Sequence, residues 1–130
     1  MRIFKMKKLV RDKIVERIEG RGNKVESRIL SDREYIDELK TKLKEELAEL
    51  DEVNFGDKEN FKNELADFQL LVDYLLKINN ISKKELLEFQ KEKSDKMGGF
   101  DRKIFIDTVS LLDDDEWVEY YIKKGFEEIK

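Results

Sequence analysis

Two short acidic runs contain the residues of this sequence that are best suited to chemistry. The first is Glu45-Glu46-Leu47-Ala48-Glu49, and the second is Glu64-Leu65-Ala66-Asp67. In the second run the carboxylates sit among apolar residues, where an unneutralised charge is costly. The pattern therefore predicts that these side chains meet something positive.

The composition limits what that chemistry can be. The chain has no His and no Cys, which removes the usual neutral-pH base, the serine-triad base, the commonest zinc ligand and all thiol chemistry. Catalysis would have to rest on carboxylates, Lys, Arg, Tyr, or a metal ion bound by oxygen atoms. The lack of Cys also fits a reducing compartment, so we expect a cytoplasmic protein.

Length and charge indicate one domain that has no general attraction for polyanions. The 130 residues suit a single domain, 1–130. Twenty-seven basic and 31 acidic residues give a net charge of only −4, so neither nucleic acid nor an acidic membrane is an expected partner. No segment approaches the ~18–20 apolar residues of a membrane span.

Apolar periodicity predicts an all-α fold with about four core helices and a C-terminal helix. The Ser31–Glu34 spacing is typical of a capping box, and Asp113–Asp115 can cap the last helix. Lys24–Leu30 and Lys103–Val109 are strand-like, so a short β-ribbon remains open. The predicted helices are Lys7–Gly20, one starting at Ser31 or Asp32, one from Asp57 or Lys58 to Ile78, one after Ser82 that ends before Gly98, and one carrying Trp117, Tyr121, Ile122 and Phe126.

Helical phase ranks the acidic side chains. At ~100° per residue, Glu46 falls on the shoulder of the apolar stripe of the second helix, Glu49 lies further round, and Glu45 is almost opposite. On the third helix Glu64 lies inside the apolar arc and Asp67 at its margin. The stripes are Ile36, Leu39, Leu43, Leu47 and Leu50 on the second helix, and Phe61, Leu65, Phe68, Val72 and Leu75 on the third.

The stretch Phe68–Ile78 is apolar nearly all round, which is typical of a central helix or one in an oligomer interface. We therefore expect a homodimer or a higher homo-oligomer.

A short turn makes the second and third helices antiparallel neighbours, so the two acidic pairs can face each other. Converging carboxylates repel one another unless some are protonated or a hard cation such as Mg²⁺ or Mn²⁺ binds them. Two other interpretations remain open: a solvated acidic face, and neutralisation by a Lys or Arg side chain.

The acidic spacing resembles the metal-binding signature of the all-α NTP pyrophosphohydrolases, which include MazG-like proteins, phosphoribosyl-ATP pyrophosphohydrolase and dimeric dUTPase. Two flanking stretches, Lys8-Leu9-Val10-Arg11-Asp12-Lys13-Ile14 and Gly98-Gly99-Phe100, are similar to the opening and closing motifs of the small MazG-like branch. The resemblance covers a core of about 8–106 and leaves the role of the tail, 107–130, unknown.

The resemblance implies a MazG-like helical bundle that cleaves a nucleoside triphosphate between the α- and β-phosphates, releasing the monophosphate and pyrophosphate. Mg²⁺ would be the cofactor, with Mn²⁺ as a substitute. The implied metal ligands are Glu46, Glu49, Glu64 and Asp67, and Glu45 belongs to the catalytic set either as an outer ligand or as a ligand of a further ion. The candidate phosphate contacts are Lys8, Arg11, Lys13, Lys93 and Lys96.

The chain departs from that branch at two positions. Val15 stands where Pro is frequent, and Met97 stands where Arg is expected before the glycines, with Lys96 as a substitute. Two alternative functions are consistent with the same sequence features. One is hydrolysis of phosphoribosyl-ATP, and the other is a non-catalytic helical binding module with a solvated acidic face.

Overall fold

The computed structural model describes residues 1–130 and contains five helices and no strand. The all-α prediction is confirmed. None of the helices combines the length and apolar character needed to cross a membrane. The helices are α1 (Ile14–Glu19), α2 (Asp32–Asp51), α3 (Lys58–Ile78), α4 (Lys83–Met97) and α5 (Trp117–Lys124).

Local capping explains where the long helices begin. The Ser31 hydroxyl accepts a hydrogen bond from the Glu34 N–H while the Glu34 carboxylate accepts from the Ser31 N–H, so the predicted capping box starts α2. Asp57 caps α3 by accepting from the Asn60 N–H, and Ser82 accepts from the Glu85 N–H at the start of α4.

The first helix is shorter than predicted. The interpretation of Lys7–Gly20 as one helix is wrong, because α1 begins only at Ile14. Lys7 has a φ of 49°, which is left-handed and cannot belong to a right-handed helix. Lys13, at the N-cap, makes no side-chain capping bond, so no local signal extends the helix upstream.

Neither strand-like segment forms a strand. Lys24–Leu30 and Lys103–Val109 lie outside regular structure, and no β-ribbon is present. A strand is stabilised by pairing its backbone groups with a neighbour, and neither segment has such a neighbour. Lys103 also has a φ of 56°, which breaks an extended run.

The chain divides into two compact units, Met1–Glu92 and Lys93–Lys130, with the boundary inside α4. In the first unit, α2 packs against α3, and the connection between them turns at Gly56, whose φ is 89°. Leu39 and Leu76 are the only buried hydrophobic residues, at 1% and 9% exposed. The predicted stripe on α3 omitted Leu76 and included Leu65, which is 52% exposed.

The second unit contains the end of α4 and the short helix α5. The Gly98 N–H donates to the Ser94 carbonyl where α4 ends. Asp115 accepts from the Trp117 N–H at 2.8 Å, but the N-cap position of α5 is Glu116, which makes no side-chain capping bond. The Trp117 ring lies edge-on to Tyr120 with centroids 5.1 Å apart.

Candidate metal and phosphate site

The α2–α3 hairpin brings the two acidic runs together. Tyr35, near the start of α2, and Tyr74, near the end of α3, line the same cleft, so the start of α2 lies by the end of α3. The two helices therefore run antiparallel. This arrangement places the end of α2 beside the beginning of α3, where the acidic runs lie.

Three carboxylates converge there. Glu46, Glu64 and Asp67 each offer an oxygen, and these oxygens lie within 4.8 Å of one another. The Oε2 atoms of Glu46 and Glu64 are buried and have no hydrogen-bond partner. A buried polar atom without a partner costs ~1–3 kcal/mol, and more when the group is charged. The arrangement is therefore unfavourable until a proton or a cation binds.

The pKa of Glu46 reflects the same unfavourable surroundings. Its pKa is raised to about 7, first because burial penalises the charged carboxylate. A hydrogen bond with Glu64, which requires a carboxyl proton, raises the pKa of Glu46 further, as do the negative charges of Glu49, Asp67 and Glu64. When both side chains are ionised that shared proton is absent, and the two Oε2 atoms remain without a partner.

The other two predicted acidic residues lie around this cluster. Glu49 is exposed and stands outside the group of three, although its charge contributes to the raised pKa of Glu46. Glu45 is half-buried and pairs with two cations, Lys8 at 3.7 Å and Lys42 at 3.4 Å. Helical phase had placed Glu49 further inward than Glu45, and the structure reverses that order of exposure.

Two of the predicted phosphate-binding cations reach the carboxylates. Arg11 Nη2 donates to Asp67 Oδ1 at 2.8 Å, and Lys8 pairs with Glu45. Lys13 lines the adjoining cleft. Lys93 and Lys96 belong to the second unit, and their role in phosphate binding stays a prediction.

The cleft beside the carboxylates has a volume of about 510 Å³ and lies between the N-terminal segment (residues 9–13), α1, α2 and α3. Cations and carboxylates share its lining with tyrosines and leucines. Four polar or aromatic lining residues were not singled out from the sequence: Arg17, Tyr35, Lys42 and Tyr74. The signal for Tyr35 and Lys42 was their spacing, since both fall on the helical face of Glu46.

The donor set fits a hard divalent cation. Oxygens bound to one Mg²⁺ at ~2.1 Å lie about 3 to 4 Å apart, slightly closer than the limit that encloses the three carboxylate oxygens here. A small rotation of long glutamate side chains would close that difference. Two of the three side chains already have a buried oxygen that lacks a partner. A bound cation would be that partner.

A scan against protein-family models, a search of curated proteins and a search of solved structures each gave no match.

Proposed function

We propose that this protein is a Mg²⁺-dependent nucleoside triphosphate pyrophosphohydrolase that cleaves between the α- and β-phosphates. The products would be a nucleoside monophosphate and pyrophosphate, which suits the removal of surplus or non-standard nucleotides. The convergence of Glu46, Glu64 and Asp67 with two partnerless buried oxygens carries this proposal. The similarity of the acidic spacing to the MazG-like branch of the all-α NTP pyrophosphohydrolases supplies the reaction.

The carboxylates would hold the metal. Glu46, Glu64 and Asp67 would be direct ligands, and Glu49 would join them by a change of rotamer or bind through water. Bound Mg²⁺, or Mn²⁺ in its place, would neutralise phosphate oxygens and lower the pKa of a bound water. This chemistry needs no histidine, and the chain has none.

The cations around the cluster would bind the phosphate chain. Arg11 lies 2.8 Å from Asp67, so its guanidinium is already beside the metal ligands and can offer its remaining N–H groups to phosphate. Lys13 and Lys42 line the same cleft and would add positive charge. Water oxygen would form the new bond to the α-phosphorus as the bond to the bridging oxygen breaks and pyrophosphate leaves.

The direct test is pyrophosphate release from a panel of NTPs and dNTPs with Mg²⁺, followed by the same assay on Glu64→Gln and Asp67→Asn. We expect release by the wild type and a loss of more than about 100-fold in each variant, since losing a direct ligand should cost at least as much as losing a second-shell partner. Glu127→Gln, a change at an exposed residue of the second unit, is the matched control. Full activity in both site variants would refute the assignment.

We also propose that the chain works as a homodimer or a higher homo-oligomer. Much of the apolar surface of the hairpin is accessible, including Leu47 at 51% and Leu65 at 52% exposed. Large apolar side chains are ordinarily among the most buried residues, and an exposed apolar surface of this kind favours association. A second hairpin packed on the first would cover it and complete a four-helix core.

Light scattering at micromolar concentration tests the assembly. We expect at least a dimer for the wild type and a shift towards monomer in Leu65→Lys. Ile29→Lys is the control, because Ile29 is 96% exposed and lies outside the helices. A monomeric wild type would contradict the proposal.

A further inference from the structure

The cleft beside the carboxylates changes chemically along its length. On α2, four of its lining residues recur at intervals of three or four positions: Tyr35, Leu39, Lys42 and Glu46. Residues so spaced lie above one another on one helical face. The order along that face is aromatic, apolar, cationic and acidic. At 1.5 Å per residue, the eleven steps from Tyr35 to Glu46 span roughly 16 Å.

Helix α3 has the same aromatic, apolar and acidic order in the opposite direction, without a cation. Asp67, Leu70, Leu71 and Tyr74 line the same cleft, and the seven steps from Asp67 to Tyr74 span roughly 10 Å. Because α2 and α3 are antiparallel, both tyrosines lie towards one end of the cleft and both carboxylates towards the other. A nucleotide has the same polarity, with a planar base at one end and a charged phosphate chain at the other.

We propose that the end of the cleft formed by Tyr35 and Tyr74 is the nucleobase subsite. This inference rests on the proposed function, since it takes the carboxylate end as the place where metal and phosphates bind. The base lies against the tyrosine rings while its phosphate chain extends past Leu39 and Lys42 to Glu46 and Asp67.

The surroundings of the tyrosines suit that role. Tyr35 is half-buried and lines the cleft together with Tyr74 and Asp12. Its pKa is raised first by burial and then by the charges of those two residues. The Tyr74 side chain is 40% exposed, so part of its surface is open to a ligand. An aromatic wall accepts every base, since every base has a π-face. The subsite therefore favours nucleotides over pyrophosphate-like anions more than it selects one base.

Two ligands separate base binding from phosphate binding. The probes are α,β-methylene-ATP, which resists cleavage at the proposed bond, and inorganic tripolyphosphate, which has no base, both with Mg²⁺ in a calorimeter. We expect Tyr35→Leu and Tyr74→Leu each to weaken binding of the nucleotide analogue by about tenfold and to leave tripolyphosphate binding within about twofold. Tyr120→Leu, in the second unit, should change neither affinity.

A variant that keeps the ring and two contrary results complete the test of the subsite. Tyr35→Phe keeps the ring and should bind the analogue within about threefold of wild type, which also guards against a folding defect in Tyr35→Leu. Equal weakening of both ligands, or no weakening of the analogue in Tyr74→Leu, overturns the nucleobase subsite and leaves the proposed function standing. A wild type that binds neither ligand overturns the proposed function and the subsite with it.

Discussion

Glu34 and Glu46 lie on the same helix, yet their environments move their ionisation in opposite directions. The pKa of Glu34 is lowered to about 2, first by the hydrogen bond from Arg28 and then by those from Ser31. The pKa of Glu46 is raised to about 7 by burial, by Glu64 and by its acidic neighbours. Glu34 is surrounded by donors, whereas Glu46 is surrounded by acceptors.

The contrast separates a carboxylate that stabilises the fold from one that is available to a ligand. Arg28 binds Glu34 through both nitrogens, at 2.8 and 3.3 Å, so the acidic side chain has its partners within the folded chain. Glu46 has a buried oxygen with none. Perturbed carboxylates that lack structural partners are typical of functional sites, and the comparison can be tested at both positions.

The largest expected effect is the response to metal. Mg²⁺ that binds only the native state stabilises it by about 2.7 kcal/mol at a hundredfold excess over its Kd. This stabilisation raises the melting temperature, and we expect the rise in the wild type and in Glu34→Gln, with Mg²⁺ and with Mn²⁺. Glu46→Gln should lose most of it.

Each protein is compared with itself in EDTA, so a change in intrinsic stability does not affect the result. If the wild type shows no shift, the metal site is wrong and a non-catalytic module with a solvated acidic face becomes the better interpretation. An equal shift in Glu46→Gln would remove that residue from the ligand set.

The next effect is the pH dependence of the metal-free protein. Because the folded pKa of Glu46 is about 7, above its ordinary value, the folded state binds this proton more tightly than the unfolded state. The contribution of this proton to the free energy of unfolding is fully present below about pH 4.5 and is lost as pH rises through about 7. Melting temperature in EDTA should therefore fall between pH 5 and pH 8.

The groups that set this slope are Glu49, Glu64 and Asp67, with Arg11 opposing them through its bond to Asp67. Glu46→Gln should flatten the slope, and Mg²⁺ should reverse it in the wild type, because the metal competes with the proton. A wild-type melting temperature that rises steadily from pH 5 to pH 8 in EDTA would contradict the raised pKa.

The capping box gives a smaller, purely structural effect. Ser31→Ala removes the acceptor for the Glu34 N–H and should lower the free energy of unfolding by about 1 kcal/mol, measured by urea denaturation at pH 7. Ser94→Ala, inside α4, should be neutral. The metal-induced shift should be the same in both variants, since neither touches the carboxylate cluster.

Acid should affect the two ends of α2 differently. The folded pKa of Glu34 is about 2, below its ordinary value, so its contribution is present above about pH 4.5 and is lost as pH falls towards 2. In Glu34→Gln this part of the acid sensitivity should disappear. Unchanged acid sensitivity in that variant would show that the Arg28 pair contributes nothing measurable.

Sequence reasoning located the long helices because their signals are local. Ser31, Asp57 and Ser82 each accept a bond from an N–H three residues later, so the caps are visible in a short window of sequence. The start of α1 was misplaced because nothing local marks it. Lys7 is left-handed, and Arg11 is oriented by Asp67, which is distant in sequence.

The site likewise divides into features that local periodicity predicts and features that depend on residues distant in sequence. Periodicity placed Glu46, Glu64 and Asp67 on facing sides, which the structure brings within 4.8 Å. Periodicity ordered Glu45 and Glu49 wrongly, because Glu45 is partly covered by its pairing with Lys8, from a segment without regular structure. The cleft also required the N-terminal segment to be placed, and no repeating pattern predicts that placement.

The smallest expected effect concerns Arg11, whose partner is a proposed metal ligand. The pair is largely accessible, with the Arg11 side chain 65% and the Asp67 side chain 33% exposed, and such pairs contribute ~0.2–1 kcal/mol. Mg²⁺ and Arg11 compete for Asp67. Arg11→Gln should therefore bind Mg²⁺ more tightly in the absence of nucleotide, by at most about fivefold, in calorimetric titration.

The same substitution should weaken nucleotide binding, because it removes a donor from the phosphate end of the cleft. Opposite changes in the two affinities are the distinguishing result, since a merely structural arginine would weaken both. Arg28→Gln is the matched control: its partner, Glu34, belongs to the capping box, so its loss should alter neither affinity. Weaker Mg²⁺ binding in Arg11→Gln would mean that the guanidinium orients Asp67 for the metal instead of competing with it.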